Sequence, residues 1–177
     1  TFKEWINLYW YHCNPMTNPG RALIPAAVIE KAGLWNEKLS LNDDLEFFTR
    51  IFLNSKAIIF NKDATFYYRS GIRGLSGKTG DEANESLYQS IYLSVSRVAS
   101  AYGQDIAILK SCANMWQSYI YITYPFHQKQ LQLAYSEIKK LVKPDFSFPS
   151  SGYTRLISNF LGWKLAKKIK LAINKIS

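Results

Sequence analysis

Asn42-Asp43-Asp44-Leu45-Glu46-Phe47-Phe48-Thr49-Arg50-Ile51-Phe52-Leu53-Asn54 is the stretch whose reading decides the fold. Leu45, Phe48, Ile51 and Phe52 recur at helical spacing and predict a helix from about Asp43 to Asn54. Asn42 is a natural N-cap, and acids in the first turn suit the positive end of the helix dipole. Directly downstream, Ala57-Ile58-Ile59-Phe60 and Ala64-Thr65-Phe66-Tyr67-Tyr68 read as two β-strands around the turn residues Asn61-Lys62-Asp63. Upstream, Pro25 to Gly33 reads as a compact helix, with proline in its first turn and glycine just past its end. Residues 1–20 are aromatic and carry the turn signals Asn14-Pro15 and Asn18-Pro19-Gly20, so they read as loop-like. The few strands need partners that this order of elements does not supply. The expectation is therefore an α/β fragment, the C-terminal part of a longer protein, and a chain opening on Thr1 rather than Met fits it.

Further along, the pattern turns helical. A stripe of Leu87, Ile91, Val95 and Val98 predicts a helix from about Asp81 to Tyr102, entered by the capping-box pattern Thr79-x-x-Glu82 and closed by Gly103. A second helix is predicted from Asp105 to Tyr124, stopped by Pro125, and a third from about Lys129 to Val142, stopped by Pro144. The linker Phe146 to Gly152 precedes a basic terminal segment. Three parts follow: residues 1–78 as the end of a catalytic domain, 79–145 as a helical extension, and 146–177 as a linker with a basic amphipathic helix.

Composition narrows the class. At 177 residues, with 47% hydrophobic and 20% charged side chains, the chain is globular rather than disordered. Cys13 and Cys112 stand far apart with no Cys-x-x-Cys, and only His12 and His127 are present, which argues against a disulfide scaffold or a zinc module. No run of 18 apolar residues exists to span a membrane. The net charge of +9 is concentrated at the end: residues 153–177 hold six basic side chains and no acid. That suggests an anionic surface more narrowly than nucleic acid, because basic groups are not interleaved with aromatics along a groove.

Chemistry centres on Asp43-Asp44-x-Glu46. Such acids can simply serve the helix dipole, or one of them can stand at a cleft lip as a general base, and the residues alone leave both open. The run Leu23-Ile-Pro-x-x-Val-Ile-Glu-Lys-Ala-Gly33-Leu-Trp35-Asn-Glu37, followed by Asn42-Asp-Asp44-Leu-Glu-Phe-Phe-x-Arg50, resembles the family 2 glycosyltransferases of the GT-A, Rossmann-like fold. The likeness covers about residues 21–69. It implies an inverting sugar transfer, in surface polysaccharide or glycolipid synthesis of a bacterial type, in the cytoplasm or peripherally at the inner face of the cell membrane. It also implies Asp44 as the base that takes the acceptor's proton, Asp43 as its neighbour orienting the acceptor, and Trp35 as a face for a sugar ring. Trp35 reads equally well as a core residue. The implied partners are a nucleotide-sugar donor and a saccharide or lipid-linked acceptor, with no nucleic acid. The implied cofactor is a divalent cation, Mg or Mn. Its Asp-x-Asp ligands do not occur in this chain and are expected upstream.

Two segments carry further readings. Gly77-Lys78-Thr79 supplies half of a P-loop, but Ile72 stands where its first glycine belongs. The same loop, with Arg69 and Arg73, can offset a leaving diphosphate or be plain surface. In the terminal segment, Leu161, Leu165, Ile169, Ala172 or Ile173, and Ile176 share one face and Lys164, Lys168 and Lys175 another. Such a helix either docks on the core or lies on an anionic bilayer. The competing class for the whole chain is a non-enzymatic helical module that binds membrane or nucleic acid through this end.

Overall fold

The computed structural model describes residues 1–15, 17–67 and 77–173. Its elements are α1 (Phe2–Trp5, continued by a π-helical turn Ile6–Trp10), a 3-10 turn (Pro19–Arg21), α2 (Ala26–Ala32), α3 (Asp43–Leu53), α4 (Asp81–Tyr102), α5 (Ile106–Thr123), α6 (Gln128–Ile138), α7 (Gly152–Leu161) and α8 (Trp163–Ile173). No strand or sheet occurs among the described residues, so the expectation of an α/β, Rossmann-like fragment is corrected to a helical bundle.

The reason lies at residues 57–67. Neither run forms a strand, although the turn between them does form, with the Asp63 amide donating to Asn61 Oδ1 at 3.0 Å. No ladder joins them, and Ile59, Phe60 and Tyr67 are almost fully exposed. β-propensity provides suitable side chains, but a strand exists only by pairing, and an isolated two-stranded hairpin is marginal in water. Tyr68, together with Arg69, Arg73 and most of the glycine loop, lies outside the described residues.

The helical readings fare better. Leu45, Phe48, Ile51 and Phe52 are all buried and turn the predicted face of α3 against α4. Of the predicted α4 stripe, Ile91, Val95 and Val98 are buried, whereas Leu87 is only half-buried and its neighbour Tyr88 takes the buried place. Central α5 buries Ile108, Cys112, Met115, Trp116, Tyr119 and Ile120, and packs against α4, α6 and the π-helical turn. Asp105 starts it, accepting from the amides of Ala107 and Ile108 at 3.0 and 3.2 Å.

The first residues are helical, not loop. Thr1-x-x-Glu4 makes a capping box, and Phe2, Ile6 and Trp10, spaced by four, enter the same core as α3 and α5. Two other caps differ from expectation. Gly80 with φ of 108° precedes α4, without a side-chain cap from Thr79, and the Asn42 side chain does not cap α3.

Asn114 ties the linker down. Buried on α5, it donates to Tyr11 O and Asp145 Oδ1, each at 2.9 Å, and accepts from the amides of Asp145 and Phe146 at 3.0 and 3.1 Å. All four hydrogen-bonding positions of the amide are used. The terminal segment then breaks at Gly162, whose φ of 82° disfavours side-chain-bearing residues, into two helices packed along each other rather than one.

Candidate functional site

The loop before α3 is set by two buried serines one turn apart on α4. The amides of Ser40 and Leu41 both donate to Ser86 Oγ at 2.9 Å, and Ser86 Oγ donates to Leu41 O at 2.9 Å. Ser90 Oγ donates to Asn42 O, and Asn42 Nδ2 reaches Ser90 Oγ at 3.3 Å. Asn42 adopts the left-handed region (φ 60°, ψ 24°), which asparagine tolerates, and this turn directs Asp43 and Asp44 into the first turn of α3. The sequence reading missed these serines. Their signal was available in the four-residue spacing of Ser86, Ser90 and Ser94 along a helix.

Asp44 is half-buried. Its Oδ1 accepts from the Leu45 amide at 2.8 Å, and the buried Thr17 hydroxyl is a further hydrogen-bond partner. Burial pushes its pKa above the ordinary carboxylate value, and the neighbouring Asp43 charge adds to the rise. The Leu45 amide and Thr17 pull the other way and lose. Asp44 therefore holds a proton more readily than a free aspartate.

Thr17 precedes a 3-10 turn over Pro19–Arg21, whose N-cap Asn18 accepts from the Gly20 amide through Oδ1 at 3.0 Å. A side chain at position 20 would collide with the Phe66 ring, so the 64–67 segment is held against this turn.

Trp35 lies on the same side of α3. Its indole stacks on Phe47, with ring centroids 4.1 Å apart and planes 12° from parallel, and meets the edge of Phe48 at 6.4 Å. Phe47 and Phe48 follow Asp44 by three and four residues, so the stack sits one turn along from the carboxylate. At 36% exposure, Trp35 is neither a core residue nor a free platform: one face is taken by Phe47 and part of the ring meets solvent.

Arg50 holds that loop in place. It donates to the carbonyls of Ala32, Gly33 (2.9 Å) and Leu34 (2.8 Å), and forks onto Glu46 at 2.9 and 3.0 Å. Arg97 of α4 pairs with the same carboxylate at 2.8 Å. Gly33 carries φ of 82°, and a side chain there would press on Arg50. Glu46 is therefore a structural member of the acidic cluster, committed to Arg50 and Arg97.

Two surface cavities lie elsewhere. One of about 210 Å³ is lined by Ser118, Tyr121, Phe148 and Lys167 among others, and a broader depression of about 740 Å³ lies around the α4–α5 turn. Asp44 and Trp35 line neither. Among the described residues, no three His, Cys, Asp or Glu side chains converge as a metal site. The divalent cation implied by the family resemblance thus has no ligand set among them. No helix of the described residues is long and apolar enough to cross a membrane. The structure brings Asp43, Asp44 and Trp35 around the start of α3; Arg69 and Arg73 lie outside the described residues. Compared with family models, curated proteins and solved structures, the chain matches none of them.

Proposed function

We propose that this chain carries the acceptor-activating residue of an inverting sugar transfer. The Asp44 carboxylate takes the proton of an acceptor hydroxyl as that oxygen attacks the anomeric carbon of a nucleoside-diphosphate sugar. The new C–O bond forms on one face, and the bond to the diphosphate breaks on the other, the diphosphate leaving with its electron pair. Asp43 orients the acceptor, and the uncovered part of Trp35 gives a flat apolar surface for a sugar ring. The acceptor is a saccharide or a lipid-linked saccharide, and the product belongs to surface polysaccharide or glycolipid synthesis.

One observation carries this reading. Asp44 is a half-buried carboxylate whose pKa is raised by its surroundings, in a first turn aimed by Ser86 and Ser90. Burying a charge is costly to a fold, whereas a base with a raised pKa is more effective in proton transfer at neutral pH. The reading rests on Asp44 and its neighbours together with the resemblance of residues 21–69, and not on a nucleotide-binding sheet.

The test is release of nucleoside diphosphate from a panel of nucleotide sugars by the full polypeptide that contains these residues, with saccharide and lipid-linked acceptors. Asp44→Asn should lower turnover by about 100-fold or more, in line with the usual contribution of a general base. Asp43→Asn should act mainly on the acceptor KM. The turnover of the wild type should fall on the acid side with an apparent pKa above that of free aspartate. Full turnover by Asp44→Asn, or no release from any donor by the wild type, contradicts the proposal.

A further inference from the structure

The terminal helices present a surface that the bundle does not use. On α7, Tyr153, Leu156, Ile157, Phe160 and Leu161 fall on one face at helical spacing, opposite Arg155, Ser158 and Asn159. In a helix belonging to a water-soluble bundle such a face turns inward. Here Tyr153 is 86% exposed, Phe160 84%, Leu161 65% and Leu156 57%, and α7 buries none of its side chains.

Its partner α8 is anchored. Trp163 meets Tyr121, Tyr124 and Phe148 with ring centroids 4.8, 5.1 and 5.8 Å apart, and Ala166 is fully buried. Lys167 donates to the carbonyls of Tyr121 and Ile122 at the end of α5, where a cation also meets the negative pole of that helix. From the sequence, Leu161, Leu165, Ile169, Ala172 or Ile173, and Ile176 form one apolar face that either docks on the core or lies on a bilayer. The structure instead makes α8 the tether and leaves the apolar face of α7 outward.

Charge selects what covers that face. From Phe146 to Ile173 there is no acid, and the hairpin carries Arg155, Lys164, Lys167, Lys168 and Lys170. Lys167 is committed to the α5 carbonyls, while the other four are exposed. Two copies meeting through this hairpin would bring like charges together, and duplex DNA offers no apolar layer to the α7 face. An anionic bilayer supplies both negative headgroups and an apolar layer. At ten residues α7 is too short to span a bilayer and would lie in its plane.

We infer that α7 seats its apolar face in the headgroup region of an anionic lipid bilayer, with α8 fixing it to the bundle and the basic side chains of the hairpin holding it there. The test is co-sedimentation of the chain with phosphatidylcholine vesicles, with and without phosphatidylserine. Binding should require the anionic lipid and weaken as salt is raised. Leu156→Ser/Phe160→Ser should lower the vesicle affinity at least tenfold with unchanged helical circular dichroism, because neither residue is in the core. Lys168→Glu/Lys170→Glu should lower it comparably. Equal binding to neutral vesicles, unaltered binding by the apolar variant, or tighter association with duplex DNA or a second copy of the chain overturns the inference.

Discussion

Replacing Glu46 by Gln probes the tie between α3, α4 and the Trp35 loop. The Glu46 side chain is 2% exposed, its forked partner Arg50 14% and its second partner Arg97 36%. Gln keeps the shape but removes the charge and sets an amide N–H against guanidinium donors. Removing one partner of a buried pair costs about 3–5 kcal/mol, most of it from the charge left without compensation. Arg97 can turn to water and recover part of its hydration, which puts the expectation near the lower end, about 3 kcal/mol. For a protein of this size that is a fall in Tm of roughly 6–12 °C. Urea denaturation followed by tryptophan fluorescence and by circular dichroism measures it. A cycle with Arg97→Gln should give a coupling of about 1 kcal/mol, smaller than that with the more deeply buried Arg50. A Glu46→Gln loss below about 1 kcal/mol would match an ordinary surface ion pair and refute the reasoning.

Other outcomes follow from particular groups. Burial pushes the thiols of Cys13 and Cys112 up to about 12. Near pH 8 only roughly one molecule in ten thousand then carries either thiolate, so iodoacetamide should modify the native chain at least about 100-fold more slowly than the unfolded one. Labelling at the rate of a peptide thiol would contradict this. Asp105 accepts from two amides of α5 and pairs with Lys3 at 2.7 Å; these bonds, that to Lys3 foremost, hold its carboxyl below the usual value. A depressed folded pKa gives stability present above the unfolded value of about 3.9 and lost as pH falls through the folded one. The stability gap between wild type and Asp105→Asn should therefore be present at about pH 6 and shrink below about pH 4; a gap constant through that range would exclude the pairing.

What could be read from the chain was what local periodicity determines. The stripe Leu45, Phe48, Ile51 and Phe52 placed α3, and glycine and proline stops bounded α4 and α5, because an amphipathic helix contains its own hydrogen bonds and needs only one apolar neighbour. The runs at 57–60 and 64–67 misled for the converse reason: β-propensity is local, but the ladder that makes a strand is not. At the N-terminus the Asn-Pro turn signals of residues 14–19 overshadowed the capping box at Thr1 and Glu4. The acidic cluster was visible as a cluster, yet its division of labour was not. Only packing shows that Glu46 faces Arg50 and Arg97 while Asp44 faces Thr17. Equally, no pattern within residues 153–173 reveals which face of the terminal helices the core accepts, since Trp163, Ala166 and Lys167 are chosen by α5 and the linker.

Asp44 distinguishes the account from its plainest rival, an acid kept for the helix dipole. Because its folded pKa is raised, its share of stability is complete below the unfolded value and is lost as pH rises through the folded one. Unfolding free energies of wild type and Asp44→Asn, compared near pH 7 and again near pH 3, measure this directly. The account predicts that Asp44→Asn is at least as stable as wild type at neutral pH, with its advantage vanishing in acid, while sugar transfer is lost. A variant less stable by about 0.3–1 kcal/mol at neutral pH, as removal of a dipole-serving acid gives, would contradict it.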